Sequence, residues 1–357
     1  MTDEQQEQHD ENPEGYDVAA VEKWISENTD KITPPFKWFR LEGGHSNLTY
    51  RIEDVNGKQA VIRRPPQGVL LPKAHDMGRE WALISSLGPT SVPVPEAIGF
   101  CEDPDVTGAW FYVMGMIDGR PLYNAEHTME WVPEDKRTQL AHSYIDVLAD
   151  LHSLDPDEIG LGDLGKKENY VGRQLKTWYR SWTSSVEPAQ YDDPRAHELK
   201  DFFLNNMPDQ GMARVVHGDY GFHNTLTGPD SLIAAVVDWE ISTLGDPLAD
   251  LAYALNQWSD PSDPLPPNPE AATSPPGFPG RLALADRYAE RTGRDLSQLD
   301  YYIGFNRWKT AAIVHGVYAR YMAGQKSTEG VDLEGLRERI KLSLDQSAEA
   351  VARLTSQ

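Results

Sequence analysis

Apolar residues recur along this chain with two different periods, and the change between them divides it in two. Val18, Val21, Trp24 and Ile25 are spaced by three or four, which predicts a helix with one buried face. Short apolar runs follow at 36–41, 48–52 and 60–63, with Gly43-Gly44 and Asn56-Gly57 between them. Asn-Gly between alternating runs predicts a hairpin, because both residues tolerate the positive φ of a tight turn. Residues 77–87 read as a helix closed by Gly88-Pro89, and 97–100 and 110–116 return to strand character. Residues 115–121 then read as a connector.

Beyond Pro121 the helical period dominates. It predicts helices at 140–154, 168–181, 193–206, 248–258, 282–292, 301–322 and 333–354. A loop and strand interrupt them at 215–224 and 233–239. Residues 259–280 hold eight prolines in 22 positions, which predicts an irregular excursion. No internal repeat is visible. The pattern is that of an α+β protein, with a small antiparallel β-rich lobe at 16–117 and a larger helical lobe at 118–357.

Composition removes several classes of function. The 357 residues carry 56 acidic against 33 basic side chains, a formal charge of −23 that repels nucleic-acid backbones. No run is long and apolar enough for a membrane span, so no membrane partner is expected. Cys101 is the only cysteine, which excludes an internal disulfide or a thiolate metal cluster and fits a reducing, cytoplasmic setting. The first 15 residues lack a basic and apolar leader pattern and read as a disordered acidic tail. Oligomeric state is not legible.

Chemistry concentrates in VVHGDYGFHNTLTGPDSLIAAVVDWE, residues 215–240. Phosphoryl transfer needs one carboxylate to orient the attacking hydroxyl and take its proton. It also needs hard oxygen ligands to hold Mg²⁺ against a triphosphate. Asp219 suits the first role, and Asn224 and Asp238 suit the second, Asp238 following directly on an apolar run. GLGDLG at 160–165 matches a dinucleotide fingerprint but follows a helix-like segment rather than a strand, so it is dismissed.

HGDYGFHN followed by DWE resembles the catalytic motif and metal-binding aspartate of the aminoglycoside phosphotransferase and choline kinase superfamily. That resemblance implies a protein-kinase-like bilobal fold, with ATP as co-substrate and Mg²⁺ as cofactor. It makes Asp219 the catalytic base, Asn224 and Asp238 the metal ligands, and Asp250 the helix residue that props the catalytic loop. LEGGHSNLTYRI would form a flap over phosphates, placing Gly44, Ser46 and Asn47 at the nucleotide. AVIRRPP stands where kinases carry a strand lysine. Val61 would then floor the adenine pocket, Arg63 would grip phosphates and pair with Glu80, and Arg64 would point to solvent. Arginine is not interchangeable with lysine, so this departure bears on nucleotide affinity and turnover. Residues 112–117 resemble the hinge, with Met114 and Met116 at the base.

GGHSNLTYRI, VIRRPP, LADLHSLDP, NYVGRQLKTW and RWKTAAIVHGVYAR narrow the likeness further. They resemble the kinase-like domain fused to some acyl-CoA dehydrogenases, over roughly residues 41 to 320. This implies a small-molecule hydroxyl acceptor such as a hydroxyacyl compound or its CoA thioester. Lys166, Lys167, Arg173, Lys176 and Arg180 reverse the local charge and suit an anionic acceptor, so Tyr170, Arg173 and Trp178 are acceptor-site candidates, with His315 and Arg320 behind them. The alternatives are an aminoglycoside phosphotransferase and a non-catalytic nucleotide-binding regulator.

Overall fold

Three short strands, β1 (Lys37–Arg40), β2 (Leu48–Glu53) and β3 (Gln59–Arg64), form where the apolar runs place them. The structure is a computed structural model that describes residues 9–41, 47–68, 76–260 and 270–355. Gly57 takes the expected positive φ of +79°, and the Asp54 carboxylate accepts the backbone N–H groups of Asn56 and Lys58, each at 2.8 Å. With β4 (Ala97–Cys101) and β5 (Phe111–Gly115), these strands make one antiparallel sheet in the order β1-β2-β3-β5-β4. Trp38, Tyr50, Ile52, Ile62, Phe111 and Val113 form its core with Val21 and Ile25 of α1 (Val18–Asn28). The side chains of Asp17 and Asp76 cap α1 and α2 (Met77–Leu87), which fixes where each helix starts. A one-turn helix, α3 (Pro104–Thr107), precedes β5.

The chain divides into two compact units. The first comprises Met1–Pro121, Ile159–Leu161 and Asn224–Ile241. The second is helical: α4 (Ala125–Trp131), α5 (Arg137–Ser153), α6 (Tyr170–Ala189) and α7 (Pro194–Asn205) come first. The strand β6 (Arg214–Val216) follows; β7 (Thr225–Thr227) and β8 (Ile233–Val236) form a hairpin that belongs to the first unit. Then β9 (Thr243–Gly245) pairs with β6, ahead of α8 (Pro247–Asn256) and α9 (Arg281–Thr292). The chain ends in α10 (Leu299–Met322) and α11 (Leu333–Thr355). The described part of the proline-rich excursion is irregular, as its composition predicts. It is held by its carbonyls, those of Pro276, Gly277 and Pro279 accepting from Arg137, Thr138 and Trp258.

Two expectations need correction. Residues 9–15 do not behave as a disordered tail: the Asp10 N–H donates to the Trp38 carbonyl at 2.8 Å and the Glu14 N–H to the Tyr50 hydroxyl at 2.9 Å. Arg64 does not face solvent. It is 4% exposed, and its guanidinium donates to the carbonyls of Gly15 and Thr107, because chain on that face of β3 covers it. Strand alternation gives direction but says nothing of what lies over each face.

Helix α10 is the axis of the helical unit, buried at Tyr301, Phe305, Trp308, Ala312 and Tyr318. At Gly304 an added Cβ would sit 3.2 Å from Ala350, from Phe203 and from the Ser347 carbonyl oxygen of α11. The Ser347 hydroxyl donates to the Gly304 carbonyl at 2.8 Å, so the two helices touch backbone to backbone. Gly304→Val is therefore expected to destabilise the protein by about 1–3 kcal/mol through overpacking. Urea unfolding checks this, and an unchanged midpoint would show that the helices can separate freely.

Candidate active site

The loop at 217–223 is held from behind by one buried carboxylate. Asp250, on α8, accepts the N–H of His217 at 2.7 Å and that of Gly218 at 2.8 Å. Gly218 has φ +84°, a left-handed conformation that glycine adopts without a Cβ clash. His152 of α5 places Nε2 at 3.2 Å from Asp250 and Nδ1 at 2.8 Å from the Tyr288 hydroxyl. Burial lowers the His152 pKa, and this outweighs the pull of Asp250. The ring is thus a neutral imidazole whose Nε2–H donates to Asp250 while Nδ1 accepts from Tyr288. Burial alone would raise Asp250, but the donors around it prevail and hold it below the usual aspartate value.

The front of the loop is locked to α5 and α8. The Tyr220 hydroxyl donates to the Tyr144 carbonyl at 2.7 Å, the Tyr144 hydroxyl returns a bond of 3.3 Å, and Gln257 donates to the Tyr220 carbonyl at 2.9 Å. Between these anchors the Asp219 carboxylate accepts from the Tyr253 hydroxyl and lies 3.3 Å from His223 Nε2. Burial would raise its pKa, yet the His223 and Tyr253 bonds outweigh it and the carboxyl lies below its ordinary value. Asp219 is therefore an ionised carboxylate with lone pairs left for a further donor. Lys309 of α10 is buried, with its ammonium 5.6 Å from the Tyr253 ring centre and 6.0 Å from that of Trp178. Burial pushes its pKa below the ordinary lysine value, while Asp250 and Asp219 pull the other way.

A second set of groups belongs to the β-rich unit. Arg63 reaches Glu80 Oε2 at 3.4 Å with one nitrogen and Asp238 Oδ1 at 3.1 Å with another. The Tyr112 hydroxyl donates to Glu80 at 2.8 Å, and Glu80 is 1% exposed. Burial raises the Glu80 pKa against the opposing Arg63 charge. Asp238 has φ +62°, an uncommon conformation outside glycine that turns its carboxylate away from the line of β8. The Val237 N–H donates to the Asn224 carbonyl at 3.0 Å, continuing the β7–β8 ladder. Asn224 and Asp238 accordingly stand at the same end of that ladder.

No group of three or more His, Cys, Asp or Glu among the described residues could hold a metal ion alone. Mg²⁺ does not require one, since one or two carboxylate or amide oxygens plus phosphates and water complete its shell. An amide and a carboxylate side by side, the latter with 36% side-chain exposure, fit that hard ion.

The remaining expected residues divide. Gly44 and Ser46 lie outside the described residues; Asn47 is buried just before β2. Val61 and Met114 are cross-strand partners on β3 and β5, and Met116 is exposed beyond the end of β5. Tyr170 is a core residue, Arg173 donates to the Lys166 carbonyl at 2.8 Å, and Trp178 donates to Gln174 at 2.9 Å. His315 packs 4.1 Å from Trp182 and bonds the Tyr191 carbonyl, and Arg320 is exposed near the end of α10. The basic run is not a free patch either, because Lys167 pairs with Asp157 at 2.6 Å. Sequence reasoning missed Tyr253, His223 and His152. Tyr253 stood three residues after Asp250 and His223 four after Asp219, spacings that place side chains together on a helix or tight turn.

A β-rich lobe carrying a buried arginine–glutamate pair, beside a helical lobe carrying a propped HGD loop, defines the protein-kinase-like bilobal α+β fold. Residues 37–300 match the model of the Phosphotransferase enzyme family, and the chain belongs to that family. It is 34% identical over 300 residues to Acyl-CoA dehydrogenase family member 11 of Gallus gallus, covering 81% of this chain but only 37% of that protein. A solved structure from Ralstonia eutropha, provisionally named an aminoglycoside phosphotransferase, matches with TM-score 0.80 and 26% identity over 95% of this chain and 99% of its own. The GDP complex of aminoglycoside 2'-phosphotransferase-IIIa matches in fold, with TM-score 0.59 and 15% identity over 93% and 97% of the two chains. Among the described residues no helix is long and apolar enough to cross a membrane.

A neutral buried histidine fixes the sign of one pH dependence. Below about pH 6.5 the unfolded chain binds a proton that folded His152 refuses. Stability is thus expected to fall as pH is lowered from about 6.5, and His152→Gln, which can still donate to Asp250, should remove part of that slope. Urea midpoints for both proteins at about pH 7.5 and about pH 5.5 test this; equal slopes would contradict it.

Proposed function

We propose that the protein transfers the γ-phosphoryl group of ATP to the hydroxyl group of a small molecule, with Asp219 as the general base. One observation carries the reading: Asp219 is ionised, oriented by Tyr253 and His223, and mounted on a loop that Asp250 fixes from behind. An ionised carboxylate of that kind can accept the acceptor's hydroxyl proton as its oxygen attacks phosphorus and the β,γ-bridging bond breaks toward ADP. Asn224 and Asp238 would hold Mg²⁺, which neutralises phosphate charge when bound. Arg63 would contact the nucleotide phosphates, and Val61, Met114 and Met116 the adenine. The printed name of the Gallus gallus relative favours a hydroxyacyl compound or its CoA thioester as acceptor.

A second reading has its own observation. Arg63 is already shared between Glu80 and Asp238, which suits a regulator that binds nucleotide without transferring phosphate.

Asp219→Asn keeps the shape and the Tyr253 partner but loses basicity, so kcat should fall by about 10²–10⁴-fold. Nucleotide affinity should be unchanged in the same variant. Asp238→Asn should instead weaken Mg²⁺-dependent nucleotide binding. Phosphoryl transfer from labelled ATP over a hydroxyl-compound panel, with nucleotide titration alongside, separates the readings. Equal behaviour of wild type and Asp219→Asn would favour the regulator.

A further inference from the structure

The two side chains that hold Asp219 also line a cavity. His223 and Tyr253 open onto a space of about 910 Å³ in the helical unit. Its wall includes the aromatic rings of Tyr123, Tyr144, Phe222 and Trp258 and the guanidinium groups of Arg307 and Arg339. No aspartate or glutamate lines it. In a chain of 56 acidic and 33 basic residues, a wall with two arginines and no carboxylate reverses the prevailing charge. A neighbouring cavity of about 890 Å³, which does not reach His223 or Tyr253, shows the contrast: Asp260, Asp286, Asp300 and Glu349 line it. Lys309 adds a third positive charge beside the first cavity, on the face of the Tyr253 ring.

From this cavity we infer that the acceptor is an anionic hydroxy compound with an apolar body, and that Arg307 and Arg339 recognise its anionic group. The inference rests on the kinase reading only for the word acceptor; the cavity's charge preference stands apart from it. The aromatic wall takes the apolar body, whose burial is favourable without direction. The arginines supply direction, since a guanidinium pairs with a carboxylate through two parallel N–H···O bonds. Like charges are turned away, so a polycation meets two arginines where it would need carboxylates. Arg339 projects from α11 and makes no ion pair among the described residues, which leaves it available to a ligand. The acceptor candidates drawn from the basic run, Tyr170, Arg173 and Trp178, do not line the cavity. The site lies on the α8, α10 and α11 side of the catalytic loop instead.

The test uses the full chain without nucleotide and three probes that differ only in charge: 3-hydroxydecanoate, its methyl ester, and 3-hydroxydecylamine. Calorimetry should find the carboxylate bound at least about tenfold more tightly than the ester, with the amine weakest. Arg339→Gln should erase the preference for carboxylate over ester and leave ester affinity unchanged, and Arg339→Lys should restore part of it. Arg307→Gln, checked for an unchanged melting temperature, should act in the same direction. Ester or amine binding equal to the carboxylate, or a preference that survives both glutamine variants, would overturn the inference. Charge-selective binding without any phosphoryl transfer would instead defeat the kinase reading and leave this one standing. Transfer that ignores acceptor charge would do the reverse.

Discussion

Asp250 is the constraint on which the helical unit's chemistry depends. Two successive backbone N–H groups, from His217 and Gly218, end on its two oxygens, and a third donor arrives from His152. Hydrogen bonds to a charged acceptor contribute roughly 1.5–3 kcal/mol each, and an unsatisfied buried N–H costs about as much. The loop therefore has one low-energy path, and Gly218 is the residue whose backbone can follow it. Asp219 is the next residue, so its position is set by the prop rather than by its own contacts. His152 completes the arrangement only as a neutral ring, and Tyr288 fixes the tautomer by donating to the other nitrogen. Acid, base and scaffold are thereby separated: Asp250 stays charged to hold backbone, while Asp219 stays charged to meet substrate.

The β-rich unit solves a different electrostatic problem. Glu80 is almost fully buried, so its charge needs a partner, and Arg63 provides one from the neighbouring strand. A lysine ammonium would be a single point charge at this place. The planar guanidinium reaches two carboxylates at once, Glu80 with one nitrogen and Asp238 with another. Arginine in the strand position thus has a structural reason: it ties the start of the metal-side segment to the sheet. The same bond occupies one oxygen of Asp238, so nucleotide and metal must compete with Arg63 or use the oxygen it leaves. That competition is the physical content of the departure from lysine.

Much of this was legible in the residues, and the limits are instructive. Local patterns located the elements well: Asn56-Gly57 gave its turn, and the caps at Asp17 and Asp76 sit where the helical period begins. The motif 217–224 and Asp238 were readable because backbone chemistry demands those residue types at that spacing. What escaped depended on chain folding back from afar. Arg64 looked solvent-facing because alternation cannot show that Gly15 and Thr107 lie over it. Helix α4 is short, and its burial rests on bonds such as Thr128 to the Ala272 carbonyl, far along the chain. The basic run at 166–180 looked like a receptor for anions, yet Lys167 is spent on Asp157 and Arg173 on a carbonyl.

Charge in the helical unit is consequently organised by depth, and this links the catalytic loop to the cavity beside it. Asp219 and Asp250 are ionised close together, which alone would make that region repel an anion. Lys309 offsets them without touching either, its ammonium buried over the faces of Tyr253 and Trp178. Cation–π contact and the summed field of two carboxylates replace a direct ion pair, so neither aspartate loses a lone pair to a competing donor. Had Lys309 bonded Asp219, the base would be blocked; had it been apolar, two negative charges would stand uncompensated behind the loop. Arg307 and Arg339 extend the same compensation into the cavity wall. A negatively charged ligand can then approach an ionised base in an acidic protein, because the nearest unshielded charges it meets are positive.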